Sequence, residues 1–320
     1  MNPSLAAHLA AAEAATDGLL WSSRRSLLRL RQQGEALSLR ALRVRSRSSG
    51  GRLSRLKGRG MEFDEARPYQ PGDDVRSIDW RVTARRGRPH TKLFREERER
   101  AVICWVDLRA PMYFATQGAF KSVVATRAAA ILGWSACAHG DRLGALLFSE
   151  AGHRELRPAS GEPAVLQLIA QLAERSAQPA SDHAPELRRA ALYNALSRLR
   201  RVARPGALIF LISDFRDLDA RCEGHLQALA RHTEMILLQL YDPLEAELPK
   251  AGYYRLEGQQ QTRLLDSSDP LQRQRYRERF AERLQQVELL CQRYRMHRLL
   301  GSTQDELFTL LRDGLGRQRT

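Results

Sequence analysis

Asp107 closes the apolar run AVICWV and opens the stretch VDLRAPM, and a carboxylate at the end of a buried strand is well placed to hold a metal ion. A hydroxyl or a second acid two residues on would help to complete such a site. This chain instead has Arg109, followed by Pro111. A second acid, Asp214, ends the run ALIFLIS, and Ser149 and Glu150 end LGALLF. These residue types permit three readings: a cation site, a cation site that has been lost, or only a loop. Titratable groups are also dense earlier in the chain. Glu62, Asp64, Glu65, Asp73, Asp74 and Asp79 stand among Arg67, Arg76, Arg81, Arg85 and Arg86. Paired carboxylates suggest acid–base catalysis, whereas near-equal arginines suggest a salt-bridge lattice that clamps irregular backbone. No His or Cys falls between residues 62 and 86 to complete a reactive set, so the lattice is the preferred reading.

Cysteine and histidine chemistry has little support. Cys104, Cys137, Cys222 and Cys291 form no C-x-x-C pair, and the eight histidines are scattered. The pattern suits reduced core thiols better than a zinc site. The net charge of +15 is concentrated at the ends. Bases outnumber acids by 12 to 3 over residues 1–60 and by 11 to 6 over residues 270–320, while residues 101–269 balance at 19 each. Only Lys57, Lys92, Lys121 and Lys250 are lysines. Binding of nucleic acid through the arginine-rich ends is therefore the alternative function, although few aromatics are interleaved with the bases. The amino-terminal stretch MNPSLAAHLAAAEAATDG lacks a basic start and a sustained apolar core. No run approaches the roughly 20 apolar residues of a membrane span, so the expected location is cytoplasmic.

The elements that must position these residues follow from periodicity. Helices are expected over 3–16 and 19–42, the second with Leu20, Leu27, Leu30 and Leu37 on one face, before the Gly/Ser/Arg-rich connection 45–60. Apolar runs at 101–106, 143–148, 207–212 and 235–240 alternate with helices expected at 118–138, 162–175, 185–202 and 219–231. Such alternation predicts a parallel sheet covered on both faces, with its crevice at the carboxyl ends of the strands. A hairpin-like stretch, YYRLEGQQQTRLLD, then leads into an amphipathic helix over 270–300 that runs toward a last short strand. Tyr276, Phe280, Leu284, Val287 and Cys291 (or Leu290) share one face of that helix. Three regions result: a basic helical region at 1–57, a distinctive segment at 58–100, and an α/β domain at 101–320.

The distinctive segment reads GRGMEFDEARPYQPGDDVRSIDWRVTARRGRPHTKLFREERER. Pro71-Gly72 suits a tight turn, Asp73 or Asp74 can cap the turn DVRSIDW, and Trp80 offers a large apolar anchor. Over Gly60 to about Arg100 it resembles the signature of the domain-of-unknown-function fifty-eight family, with Arg67, Asp73, Asp74, Arg76, Asp79, Trp80 and Arg85 as its structural residues. The stretches DRLGALLFS and LIFLISDFRD agree with that resemblance. It implies a von Willebrand factor A-like (vWA-like), Rossmann-type fold: a mostly parallel sheet with helices on both faces, plus an amino-terminal helical region and an extended strand/turn segment packed on it. It also implies a MoxR-type AAA+ ATPase as partner.

A vWA domain typically binds a divalent cation through D-x-S-x-S, a Thr from a second loop and an Asp from a third. Here Asp107 matches the first acid and Asp214 the last, but Arg109 and Pro111 occupy the hydroxyl positions, and PASDHAPELRRA (179–190) has no Thr. The resemblance thus implies a degenerate site at Asp107, Arg109 and Asp214. Either Arg109 replaces the metal by an internal salt bridge, or it points to solvent while Asp107 caps the turn. No cofactor is expected, with Mg²⁺ at most weakly bound. The leading function is a non-catalytic adaptor or assembly factor without enzyme activity. Its interaction rim is expected at Asp107, Arg109, Tyr113, Phe114, Asp214, Phe215 and Arg216, with Arg109 or Arg216 meeting a partner carboxylate directly.

Overall fold

The computed structural model describes residues 16–39, 61–70, 73, 75, 78–96, 99–178, 184–257 and 262–316. In chain order, α1 (Arg24–Leu28) and α2 (Arg31–Ala36) come first, then β1 (Met61–Pro68), α3 (Trp80–Arg86) and β2 (His90–Glu96). The α/β body follows: β3 (Ala101–Asp107), α4 (Lys121–Ala138), β4 (Arg142–Ser149), β5 (Gly152–Ala159), α5 (Glu162–Ser176), α6 (Pro185–Val202) and β6 (Leu208–Ser213). It continues through α7 (Ala220–Ala230), β7 (Glu234–Tyr241), α8 (Pro243–Ala246), β8 (Tyr253–Glu257), β9 (Thr262–Asp266), α9 (Pro270–Tyr294), β10 (His297–Ser302) and α10 (Leu307–Gly316). The chain divides into two compact units, residues 43–99 and the remainder.

Six strands form one sheet in the order β10-β7-β6-β3-β4-β5, parallel throughout except for β5, which runs antiparallel to β4. The four apolar runs are its four inner strands. They are apolar without alternation because both faces are covered. Val102, Cys104 and Val106 face a core shared with α4 and α5, and Ile103 and Trp105 face another shared with α6, α7 and α9. Each buried aliphatic side chain is worth roughly 1.5–3 kcal/mol, so these strands anchor the fold. β5 was not expected from periodicity, because it is an edge strand exposed along most of its length. It folds closely over Gly144, where a Cβ would lie 2.9 Å from Pro158 Cγ and 3.0 Å from the Leu156 carbonyl oxygen. The β4–β5 register shifts at that point.

The chain leaves β3 toward β4 on one side, and β6 lies on the other. The carboxyl ends of β3 and β6 therefore flank the topological switch point, where ligands of doubly wound sheets bind. α4 starts directly above it. This Ala-rich helix is buried along nearly its whole length, because β3 and β4 cover one side and α1 and α2 help cover another. Gly34 permits that second contact: a Cβ there would meet Trp134 Cβ at 2.3 Å. Ser135 Oγ also donates to the Leu37 carbonyl at 2.6 Å. Residues 16–39 are thus part of the body rather than of a separate 1–57 region.

The single helix expected over 19–42 is two short ones. Ser23 caps the first by accepting from the Ser26 amide, and the chain turns at Arg29-Leu30 before α2. Leu27 and Leu37 are buried as expected, but Leu20 is exposed. Most of the helix expected over 3–16 lies outside the described residues, as does the 45–60 connection. The long helix ends at Tyr294, with Arg295 in the left-handed region, and the last strand is β10. Of its predicted face, Val287 and Cys291 are buried, and Tyr276, Phe280 and Leu284 are half-buried.

The unit 43–99 carries the distinctive segment as a two-stranded antiparallel sheet, β1–β2, with its register shifted between Phe63 and Glu65. The cap of its helix is Asp79, whose carboxylate accepts from the Arg81 and Val82 amides. Asp73 accepts from the Gln70 amide and pairs with Arg67 at 2.8 Å. Asp79 caps α3 because it directly precedes the first helical residue, while Asp74 and part of the turn DVRSIDW lie outside the described residues. Trp80 does not act as an anchor. It is 68% exposed, since the first turn of α3 turns it outward. Arg85 is exposed in the last turn, where a cation complements the helix dipole. Pro71, Gly72, Asp74 and Arg76 lie outside the described residues.

Candidate functional site: two buried ion-pair groups at the switch point

Arg109 is fully buried, although a guanidinium rarely leaves water unpaired. The first turn after β3 folds it back onto Asp107, two residues earlier. Nε lies 3.0 and 3.1 Å from the two carboxylate oxygens, and Nη2 donates to Oδ2 at 2.7 Å. The remaining N–H groups donate to the Arg188 carbonyl at 3.2 Å and the Arg216 carbonyl at 3.3 Å, with Asp217 at 3.5 Å. Asp107 also accepts from the Arg109 amide at 3.0 Å and from Ser213 Oγ at 2.7 Å. Burial opposes the charge on Arg109, but Asp107 first, then Asp214 and Asp217, raise its pKa further above the usual arginine value. It stays cationic at every physiological pH. Phe148 lies beneath the guanidinium, 5.7 Å from ring centroid to Cζ.

Lys121, the first residue of α4, is the second buried cation. Its Nζ donates to Asp214 at 2.9 Å and to Glu245 at 2.7 Å. Glu245 is held by the tight turn after β7. Asp242 caps α8, and the Glu245 side chain returns to the Asp242 amide in a capping box. Burial raises the pKa of Asp214, but Lys121, Arg216 and Arg109 outweigh it and hold this carboxyl at about 2. Three elements distant in sequence therefore converge on one ammonium.

Arg216 closes the outer side of this second group. It pairs with Asp214 at 3.2 Å and also with Glu245, while its side chain remains 36% exposed. The loop that carries it is strained: Phe215 and Asp217 have φ of 53° and 67°, a left-handed conformation uncommon outside glycine. Phe215 is held there by its ring, buried in the core below, and by its amide, which donates to Ser213 Oγ at 2.9 Å. Arg283 of α9 is half-buried within Coulombic reach of Arg216, Glu245 and Asp214.

The model of the family described as "Protein of unknown function DUF58" matches residues 65–288, well over half of the chain. The chain belongs to the DUF58 family. It is 33% identical over 203 residues to the uncharacterized proteins Rv1480 of Mycobacterium tuberculosis and Mb1516 of Mycobacterium bovis. The match covers 63% of this chain, and the chain spans 62% of the length of those relatives. Among solved structures, this DUF58 chain is similar to the conserved hypothetical protein BatB from Bacteroides thetaiotaomicron, with a TM-score of 0.40, 12% identity, and coverage of 68% of this chain and 97% of that one. It is also similar to a von Willebrand factor type A protein from Catenulispora acidiphila, with a TM-score of 0.32, 11% identity, and coverage of 71% and 43%. Its own strand order and alternation carry the vWA-like assignment. No helix among the described residues is long and apolar enough to cross a membrane.

In this DUF58 chain the expected rim divides. Asp107, Arg109, Asp214 and Phe215 are buried, against the expectation of an exposed surface. Each buried acid faces a cation and further hydrogen-bond donors, which offset the cost of leaving water, and the Phe215 ring joins the apolar core. Tyr113 is half-buried, its hydroxyl donating to the Arg175 carbonyl at 3.1 Å. Phe114, at 37% exposed, and Arg216 are the rim residues that reach the surface. Lys121, Ser213, Asp217, Glu245 and Arg283 were not anticipated. Lys121 had a legible signal, a rare lysine in an arginine-dominated chain at the start of an apolar helix. Glu245, in YDPLEAE, had none beyond its capping position. Residues 179–183 of the segment searched for a Thr ligand lie outside the described residues, and Pro185 begins α6.

Proposed function

We propose that this chain is a non-catalytic interaction protein of vWA type in which two side-chain cations, Arg109 and Lys121, stand where a divalent ion would act. The observation that carries the reading is the double replacement. Both oxygens of Asp107 are engaged by Arg109 and Ser213, and Asp214 and Glu245 converge on Lys121. A Mg²⁺ ion needs near-octahedral oxygen ligands, and here it would enter beside two buried cations that already occupy those carboxylates. The residues present do not fit the ion. No step of the proposed activity therefore runs through a metal, and the partner is recognised by shape and by fixed charge.

The partner class is a MoxR-type AAA+ ATPase, by the family resemblance, and the chain acts as its adaptor or assembly factor in the cytoplasm. Asp214 is unsuited to acid–base work: its neighbouring cations hold its carboxyl at about 2, so it has no proton to give and little basicity to take one. Co-purification with the MoxR-type ATPase of the same cell tests the proposal. The ATPase is kept nucleotide-free so that its own Mg²⁺ requirement does not enter. Equal recovery with Mg²⁺ and with excess chelator is expected. Recovery that depends on Mg²⁺, or no complex under either condition, would overturn the reading.

A further inference from the structure

We infer that Arg216 and Arg283 form a docking mouth for the carboxylate of an acidic segment on a protein partner. The inference rests on the interaction reading above and names what that surface takes. At the inner level, Asp107 and Asp217 face Arg109 and, 3.9 Å from Asp217, Arg189, so two acids meet two cations and give no excess charge. At the outer level, Lys121, Arg216 and Arg283 oppose only Asp214 and Glu245, leaving one positive charge uncompensated. That excess sits where solvent can reach it, because Lys121 is fully buried while Arg216 is partly exposed.

Arg283 is the informative residue. Its guanidinium is half-buried and lies over the Phe280 ring at 5.2 Å. No hydrogen bond from it to a carboxylate is found among the described residues. Desolvation lowers its pKa, and the neighbouring Arg216 lowers it again. Two guanidiniums within Coulombic reach of each other, beside acids already paired with Lys121, leave positive charge for one more anion to meet. A flat carboxylate can accept in parallel from one fork or bridge both. A single negative charge balances the mouth, whereas a phosphate dianion would overcompensate it.

The support for this mouth is rigid. Phe280 stacks against Tyr241 at 5.4 Å, and the Tyr276 hydroxyl donates to the Leu244 carbonyl at 2.8 Å, fixing α9 over the turn that carries Glu245. The strained backbone at Phe215 and Asp217 fixes Arg216 from the other side. Preorganised donors lose little freedom when an anion arrives. Arg109 plays no direct part, being sealed beneath.

The test uses the full chain, with hexaglutamate peptide and inorganic phosphate as probes, at about 0.15 M salt to suppress diffuse attraction. Hexaglutamate should bind one-to-one. Arg283→Gln and Arg216→Gln should each weaken it about tenfold, as expected for a desolvated charge pair. Arg275→Gln, exposed elsewhere on α9, should change it less than twofold. Thermal melting of each variant separates a lost contact from a lost fold. Should Arg216→Gln fail to fold, Arg283→Gln alone decides. No binding, equal weakening by Arg275→Gln, or displacement by equimolar phosphate would each overturn the mouth. Mg²⁺ titration of the same samples keeps the outcomes distinct: absence of hexaglutamate binding with no Mg²⁺ binding sinks the docking mouth alone, and a tight Mg²⁺ site sinks the interaction reading beneath it.

Discussion

The two buried ion-pair groups under the rim differ in how the chain builds them. Arg109 and Asp107 are two residues apart, close within one turn, and reach no solvent. Lys121, Asp214 and Glu245 come from the start of α4, the end of β6 and the turn after β7, and Arg216 gives them an opening to water. The first group closes within its own turn and is completed by the Arg188 and Arg216 carbonyls and Ser213. The second ties three elements together and presents a charged surface. A pair such as Arg109–Asp107 can close within one turn, but the meeting of Lys121, Asp214 and Glu245 depends on the whole sheet being assembled.

That contrast ranks the expected effects of mutation. Lys121→Met removes the cation from two buried carboxylates at once and should cost the most, about 5 kcal/mol, near the top of the range for breaking a buried pair. Asp107→Ala leaves Arg109 with its carbonyl partners and Asp217, and should cost about 3 kcal/mol. Urea unfolding measures both, and a reversed order would break the comparison between the local and the shared group.

Acid should act on the shared group next. Asp214 has a folded-state pKa of about 2, below its ordinary value of 3.8. The unfolded chain therefore binds more protons between those values, and stability rises with pH across that window. The contribution is fully present above the unfolded value and is lost as pH falls through about 2. Unfolding midpoints from pH 6 downward should decline for the wild type and decline less steeply below pH 4 for Asp214→Asn, already weakened at neutral pH. Parallel curves would show that Asp214 is not held by its cations. The smallest effect belongs to Arg216→Gln, about 1 kcal/mol once solvent screening at its exposed side is allowed for. A loss as large as that of Lys121→Met would mean that Arg216 belongs to the sealed interior.

Much of the fold was legible. The runs at 101–106, 143–148, 207–212 and 235–240 are strands within a residue or so, and the helices at 162–175, 185–202 and 219–231 were placed equally well, because continuous apolar runs and long amphipathic stretches leave few alternatives. β5 escaped because an exposed edge strand carries no apolar signal, and the 19–42 helix was read as one because periodicity alone does not show a cap such as Ser23. In the site, Asp107, Arg109 and Asp214 were found by their position at strand ends. The placement of Arg109 was left open between a salt bridge with Asp107 and a solvent-facing side chain, and the structure has the salt bridge. Lys121 stood out as a rare lysine at the start of an apolar helix, but its meeting with Glu245 lay beyond reach because it depends on the order of strands in the sheet. The exposure expected for Phe215 failed because a local reading of a loop cannot tell which way a ring turns when the backbone takes a positive φ.

The central claim is that this chain carries its own cations where a divalent ion would otherwise sit. Isothermal titration of Mg²⁺ into the wild-type protein and Asp107→Ala tests it most directly. The account predicts no saturable one-to-one binding in either protein. A micromolar, one-to-one Mg²⁺ site in the wild type that disappears in Asp107→Ala would contradict it.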